Sequence, residues 1–361
     1  MNGLLLEVEN LVVSFPTPDG VVEAVRGISF AVDSGQTLGI VGESGSGKSV
    51  AVQTTVGLTV GARVSGRAFL EGKDLLTMSP AELRAVRGAK IGMIFQDPMS
   101  SLHPYYRVGW QIMEMIRTHQ DVDKPAARAR VVELLGLVGI PRPEERVNDY
   151  PHQFSGGMRQ RAMIAMALAL NPALLVADEP TTALDVTVQA QIMELIKHLQ
   201  EELGISVILI THDLGIIADM AHEVMIMYAG KVMETAGTRS IYYSPHHPYT
   251  SALLNSLPQS GQEGQRLPSI AGQPPSLINP PSGCPFHPRC AFTMPKCRTG
   301  SPPLRLVDTS VHRSACWLPA DLTGSSAETD MRRHAASAAE GSSAPVAVAD
   351  SPVTDPGKDE L

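Results

Sequence analysis

The chain has 361 residues and a formal charge of −8, set by 29 basic and 37 acidic side chains. That length exceeds one average domain, so a main domain with one or two appendages is expected. The acidic balance argues against a broad phosphate-backbone footprint, and nucleic acid is not an expected partner.

From the N-terminus, Met1 to Glu7 carries no basic region, which predicts no secretory signal. Leu4 to Phe15 alternates as a strand, and Pro16-Thr17-Pro18-Asp19-Gly20 is a turn cluster. Strand character resumes over 21–25 and 28–32 before an Asp33-Ser34-Gly35 turn, so the chain opens with antiparallel β structure. Phe15 suits core packing, and an aromatic at a strand end also suits stacking on an adenine face.

The apolar run Thr37-Leu38-Gly39-Ile40-Val41 reads as a buried strand. It leads into Gly42-Glu43-Ser44-Gly45-Ser46-Gly47-Lys48-Ser49, a complete G-x-x-x-x-G-K-S/T loop with a helical stretch, 50–58, behind it. Glycines let successive backbone N–H groups turn inward as an anion nest, and the helix N-terminus adds unpaired amides and its dipole. A polyphosphate fits that nest. Lys48 would reach the β- and γ-phosphates, and the Ser49 hydroxyl would join the shell of a Mg²⁺.

Strand 65–70 follows, then Ser79-Pro80-Ala81-Glu82, a capping-box start with Pro at the first helical position. Ile91 to Gln96 is a buried strand ending on an amide, and ligand contacts gather at the carboxyl ends of strands in open α/β sheets. From Met99 to about His152 amphipathic segments such as 108–119 and 126–137 predict a helical insertion. It ends at Phe154-Ser155-Gly156-Gly157-Met158-Arg159-Gln160, a second Gly-rich turn opening another helix, 161–170. The longest apolar stretch, 162–177, is broken by Asn171-Pro172 and is shorter than the roughly 20 residues of a bilayer span. The chain is therefore expected in the cytosol.

Leu174 to Glu179 is a buried strand finished by two carboxylates. Beside a nucleotide, Asp178 would support the Mg²⁺ shell while Glu179 orients and deprotonates the attacking water. Thr182-Ala183-Leu184-Asp185 precedes a helix whose apolar face ends at Gly204. Ile205 to Thr211 is the next strand, with His212 at its end. Four strands thus carry a polar group at the same end.

These motifs resemble those of the ATP-binding-cassette (ABC) ATPases, from about Leu4 to Gly237. In that family's terms Gly42, Ser44, Gly45, Ser46, Gly47, Lys48 and Ser49 lie in the Walker A loop and Gln96 is the Q-loop residue. Ser155, Gly156 and Gly157 form the signature motif, Asp178 ends the Walker B strand, and Glu179 is the catalytic carboxylate. Thr182 to Asp185 is the D-loop and His212 the switch histidine. Phe154 and Met158 depart from the usual Leu and Gln. Phe15 falls at the adenine-stacking aromatic, and Gln96 at a position that reaches both Mg²⁺ and the attacked phosphate.

The resemblance implies an α/β P-loop NTPase core at 1–98 and 159–243, with an N-terminal antiparallel β subdomain and an inserted helical subdomain at 99–158. It also implies that ATP is sandwiched between the Walker A loop of one cassette and the signature of another, so a second ATPase subunit is needed, commonly a paralogue.

Ser244 to Leu254 resembles the extension of the ATPase subunits of dipeptide, oligopeptide and nickel importers. Their partners are two integral-membrane permeases and an external peptide-binding protein, which places the chain on the cytoplasmic face of the membrane. The segment 97–105 is the expected permease contact. Within 244–320 stand all four cysteines, Cys284, Cys290, Cys297 and Cys316, with gaps of five, six and eighteen residues. Clustered thiols in a reducing compartment favour metal over disulfides, and Zn²⁺ and a 4Fe-4S cluster both remain open on spacing. His287 and His312 are rival ligands. Resemblance to importer ATPases favours the iron–sulfur cluster.

Beyond about Ala320 the Ala-, Ser-, Gly- and Pro-rich composition predicts a disordered tail, 321–361. The final Lys358-Asp359-Glu360-Leu361 looks like a retention tag and reads as chance. The expected function is ATP hydrolysis powering peptide uptake. Its alternatives are import of another substrate such as nickel, and an iron–sulfur regulatory protein in which ATP is a slow switch.

Overall fold

A computed structural model describes residues 3–182, 184–257, 269–307 and 311–319. The predicted tail and retention-like ending, as well as Ala183, lie outside the described residues.

The chain opens with β1 (Leu4–Thr17) and β2 (Gly20–Asp33), paired antiparallel over almost their whole length. The sequence suggested two short strands in place of β2 and a turn beginning at Pro16. Instead β1 runs on through Thr17, and Gly27, with φ +79°, absorbs the irregularity in mid-strand. β3 (Thr37–Val41) leads to α1 (Lys48–Thr55), and β4 (Arg63–Leu70) and β5 (Lys73–Asp74) complete a four-stranded sheet of order β2-β1-β4-β5. α2 (Pro80–Val86) begins with the expected capping box between Ser79 and Glu82.

β6 (Ile91–Ile94) is followed by α3 (Pro98–Ser101), α4 (Val108–His119), α5 (Lys124–Leu137) and α6 (Pro143–Arg146). α3, α4 and α5 pack on α7 (Gly156–Ala167), and α6 packs on α5; α7 starts five residues earlier than periodicity suggested because Ser155 caps it. Then come β7 (Leu174–Asp178), α8 (Val186–Leu203), β8 (Ser206–Thr211), α9 (Leu214–Met220), β9 (Glu223–Tyr228) and β10 (Lys231–Gly237). α10 (Thr238–Tyr243) and α11 (Pro248–Asn255) precede the cysteine region, which contains α12 (Pro295–Thr299), β11 (Arg305–Leu306) and β12 (Arg313–Ser314).

The second sheet has the order β11-β12-β10-β9-β3-β8-β7-β6. Its β9-β3-β8-β7-β6 part is parallel, and β10, β12 and β11 extend it antiparallel. The cysteine region therefore caps an edge that would otherwise expose unpaired backbone groups. Because side chains alternate across a strand, β7 sends Leu174 and Val176 to one face and Leu175 and Ala177 to the other. β8 does the same with Ile208 and Ile210 against Val207 and Leu209. One face packs on the antiparallel sheet and α1, the other on α7, α8, α9 and the helical insertion. With both faces buried, the strands read as continuous apolar runs, which is why they were legible in the sequence. Among the described residues no helix is long and apolar enough to cross a membrane.

Ile208 has no exposed surface. Ile208→Ala is expected to lower unfolding stability by about 2–5 kcal/mol, as large-to-small core changes do, measured by urea denaturation of the purified chain.

Candidate nucleotide site and cysteine module

The order of the parallel strands brings the carboxyl ends of β3, β6, β7 and β8 to one edge, and with them the loop, Gln96, Asp178, Glu179 and His212. Gly47 precedes α1 with φ +96°, and a Cβ there would stand 2.3 Å from the Ala24 carbonyl oxygen. Only glycine turns the loop at that point. At Gly42 a Cβ would stand 2.1 Å from the Met227 carbonyl oxygen, so the loop is pressed against β9.

Lys48 is 5% exposed, and its Nζ donates to the carbonyls of Gly42 at 2.8 Å and Glu43 at 3.0 Å. Burial lowers its pKa, opposed by the carboxylates of Glu179, Asp178 and Glu43. Ser49 Oγ donates to Asp178 Oδ1 at 2.7 Å, and Gln53 Nε2 donates to Asp178 Oδ2 at 3.1 Å. Burial raises the Asp178 pKa while those two hydrogen bonds pull it down. A divalent cation beside these oxygens would favour the ionised carboxylate.

Glu179 sits at φ +46°, unusual for a residue with a Cβ, and its N–H is held by the Ile210 carbonyl at 2.9 Å. Its Oε2 accepts from Gln96 Nε2 at 3.2 Å and Thr182 Oγ1 at 3.0 Å. Its Oε1 faces His212 Nδ1 at 3.7 Å. The His212 side chain is 68% exposed. One carboxylate oxygen is thus anchored by two donors and the other turned toward an open histidine.

Ser155 Oγ accepts from Met158 N at 3.3 Å, placing Gly156 and Gly157 in the first turn of α7 with their amides at its open end. None of the hydrogen bonds among the described residues joins Ser155, Gly156 or Gly157 to the phosphate loop of the same chain. Gln160, buried on α7, donates to the Pro180 carbonyl and ties the signature helix to the segment after Glu179. Phe15 lies near the end of β1, paired with Val22 and partly buried against the apolar cluster beneath.

The two Gly-rich turns, the paired acids and the strand-end amide and histidine stand in the arrangement of one known group. The family described as "ABC transporter" matches residues 25–182, and that described as "Oligopeptide/dipeptide transporter, C-terminal region" matches 233–297. The oligopeptide transport ATP-binding protein OppD of Bacillus subtilis (strain 168) is 52% identical over 318 residues, 87% of this chain and 88% of that protein. The chain belongs to the ABC transporter ATP-binding proteins. The dipeptide transport ATP-binding protein DppD of the same organism is 51% identical over 317 residues, covering 87% of this chain and 94% of that one. Among solved structures, the ATP-binding cassette MJ0796, in a dimeric post-hydrolysis state bound to ADP and Pi, has a TM-score of 0.59 and 27% identity. It covers 65% of this chain and 99% of that one. The P-loop ATPase fold and its antiparallel β subdomain are those of this ABC family.

The C-terminal region of this ABC protein brings together the four cysteines singled out in the sequence and two residues, Tyr249 and Arg289, to which sequence patterns assigned no role. Cys284, Cys290, Cys297 and Cys316, all free thiols, line one small cavity with His247, Phe286, His287 and Trp317. Burial pushes Cys290 up to about 12 and Cys316 up to about 11. Among the described residues no three His, Cys, Asp or Glu side chains are grouped to hold a metal ion. His287 borders the cavity, but His312 does not. Its Nε2 lies 2.7 Å from buried Glu234 Oε1. Tyr249 on α11 accepts the Glu43 N–H at 3.0 Å, and Arg289 forms a two-point ion pair with the Glu43 side chain at 2.7 and 3.0 Å. Glu43, Gln53, Tyr249 and Arg289 carry no local signature. Only the fold places the last two, more than 200 residues downstream, against the phosphate loop.

Gly47→Ala is expected to weaken Mg–ATP binding at least about 10-fold, since left-handed strain of about 1–3 kcal/mol adds to a backbone clash. Titration of the purified variant with ATP checks this.

Proposed function

We propose that this chain is the ATP-hydrolysing subunit of an importer for di- or oligopeptides, working as one half of an ATP sandwich. The observation that carries the proposal is the meeting of Ser49, Asp178, Gln96, Glu179 and His212 at one strand edge while the signature turn opens elsewhere on the chain. The amides of the loop and the Lys48 ammonium bind and orient the polyphosphate of the substrate ATP. Ser49, with Asp178 behind it and Gln96 just beyond β6, would hold Mg²⁺, which draws charge from the phosphoryl oxygens.

Glu179 keeps Oε2 occupied by Gln96 and Thr182, leaving Oε1 to accept a proton from the attacking water; His212 is placed to contact the same centre. Ser155, Gly156 and Gly157 serve the nucleotide of a second cassette, commonly a paralogous chain, and Phe15 stacks on the adenine. The division at 98/99, 158/159 and 243/244 follows these roles. Two membrane permeases, contacted through 97–105, would convert closure and reopening of the cassettes into uptake of a peptide delivered by an external binding protein. The chain would then lie on the cytoplasmic face of the membrane.

We read the four cysteines as ligands of a 4Fe-4S cluster. All four line one small cavity, and the resemblance to importer ATPases is what favours an iron–sulfur cluster over Zn²⁺ there. When bound, the cluster supplies a reducible centre and a crosslink of the module. Anaerobic purification is expected to yield a coloured protein with roughly four iron atoms per chain. Stoichiometric zinc without visible absorption contradicts this reading.

Glu179→Gln is expected to keep ATP binding and to lose about 10²–10⁴-fold in turnover, the range of a general base. Turnover within threefold of wild type removes Glu179 from that role. Lys48→Ala is expected to weaken nucleotide binding itself, and undiminished affinity counts against the loop as the ATP site.

A further inference from the structure

Arg289 sits in the short turn His287–Arg289 between Cys284 and Cys290. Its side chain is 6% exposed, and all five of its N–H donors are used. Nη1 donates to Glu43 Oε2 at 2.7 Å and to Tyr228 OH at 3.1 Å. Nη2 donates to Glu43 Oε1 at 3.0 Å and to the Ile270 carbonyl at 3.1 Å, and Nε to the Ala271 carbonyl at 2.9 Å. Such a planar, saturated fork is held far more rigidly than a surface ion pair.

Its target lies inside the phosphate loop. The Glu43 N–H is taken by Tyr249, its carbonyl accepts from Lys48, and its carboxylate is taken by Arg289. Glu43 is also one of three carboxylates that bear on Lys48, and the one that belongs to the loop. An unpaired carboxylate at this point would repel a polyphosphate and compete with it for the Lys48 ammonium. The same C-terminal region reaches β2, where Glu23 N donates to the Leu277 carbonyl at 2.9 Å.

We infer that Arg289 is a positioning residue of the ATP site: by holding and neutralising Glu43 it keeps the phosphate loop receptive to polyphosphate, and so ties nucleotide affinity to the cysteine module. The inference rests on the reading of 42–49 as the ATP-binding loop. Because the turn carrying the guanidinium is bracketed by Cys284 and Cys290, whatever orders those thiols also orders Arg289. Cys284 N donates to the Cys297 carbonyl at 2.8 Å and His287 N to the Cys284 carbonyl at 3.0 Å, which closes the turn into the module.

The test is calorimetric titration of the full-length chain with Mg–ATP. Arg289→Gln keeps amide donors but removes the charge. It is expected to weaken binding at least about 10-fold, the scale of one uncompensated charge about 12 Å from the phosphates at an effective dielectric of about 20, with a closer charge costing more. That loss is expected to shrink in high salt. Arg289→Lys, which keeps the charge, is expected to stay within about threefold of wild type, and Arg289→Gln with Glu43→Gln to return to about the same range. A merely structural role for Arg289 predicts no rescue by Glu43→Gln.

Affinity of Arg289→Gln within twofold of wild type overturns the inference, and so does a loss that Glu43→Gln leaves unrepaired. Lys48→Ala in the same titrations separates the two levels. If it binds as wild type, the loop assignment falls and the inference with it. If it loses binding while Arg289→Gln does not, only the inference falls.

Discussion

The parallel sheet buried on both faces is the constraint from which the rest follows. Strands β3, β6, β7 and β8 have apolar layers above and below, so their interiors carry no polar side chain that would need a partner. Polar groups are driven to the strand ends, and a common strand direction puts those ends on one edge. Ser49 and Asp178 meet there at 2.7 Å, although 129 residues separate them. Binding energy for a polyphosphate then comes from groups that the sheet has already oriented, with little reorganisation left for the moment of reaction.

Charge at that edge is balanced by geometry. Asp178 and Glu179 are adjacent in sequence, yet the left-handed turn at Glu179 sends the two carboxylates to different donors: Ser49 and Gln53 for one, Gln96 and Thr182 for the other. Asp178 faces the loop, and Glu179 faces the strand end that carries His212. Glu43 adds a third carboxylate, matched by a guanidinium from the cysteine module. The module also continues the main sheet through β12 and β11, so it is built onto the cassette as part of the same sheet.

Much of this was legible in the residues because buried parallel strands leave long apolar runs and the loop chemistry has a fixed spacing. The strands ending at Val41 and Thr211, the helix 108–119 and the capping box at Ser79 all follow from local pattern, and the strand read as 174–179 ends one residue sooner, at Asp178. What could not be read depends on contacts without local signal. Arg289 meets Glu43 across 246 residues, and Tyr249 meets the same residue from a different helix. β11 and β12 are two residues each, too short for any periodicity. The continuity of β2 was hidden because Gly27 reads as a break when it is an irregularity within one strand. The four cysteines line one cavity, as their clustering suggested, but His312 is engaged with Glu234 instead.

The central claim is that this ATPase is one of two cassettes that power a membrane importer. The most direct measurement is an affinity pull-down of the tagged full-length chain from membranes solubilised in mild detergent, with retained proteins identified by mass spectrometry. The account predicts two multi-span membrane proteins and a second cassette ATPase in comparable amounts. Recovery of the chain alone, or with soluble partners only, would contradict it and leave an ATP-binding protein whose cysteine module serves regulation.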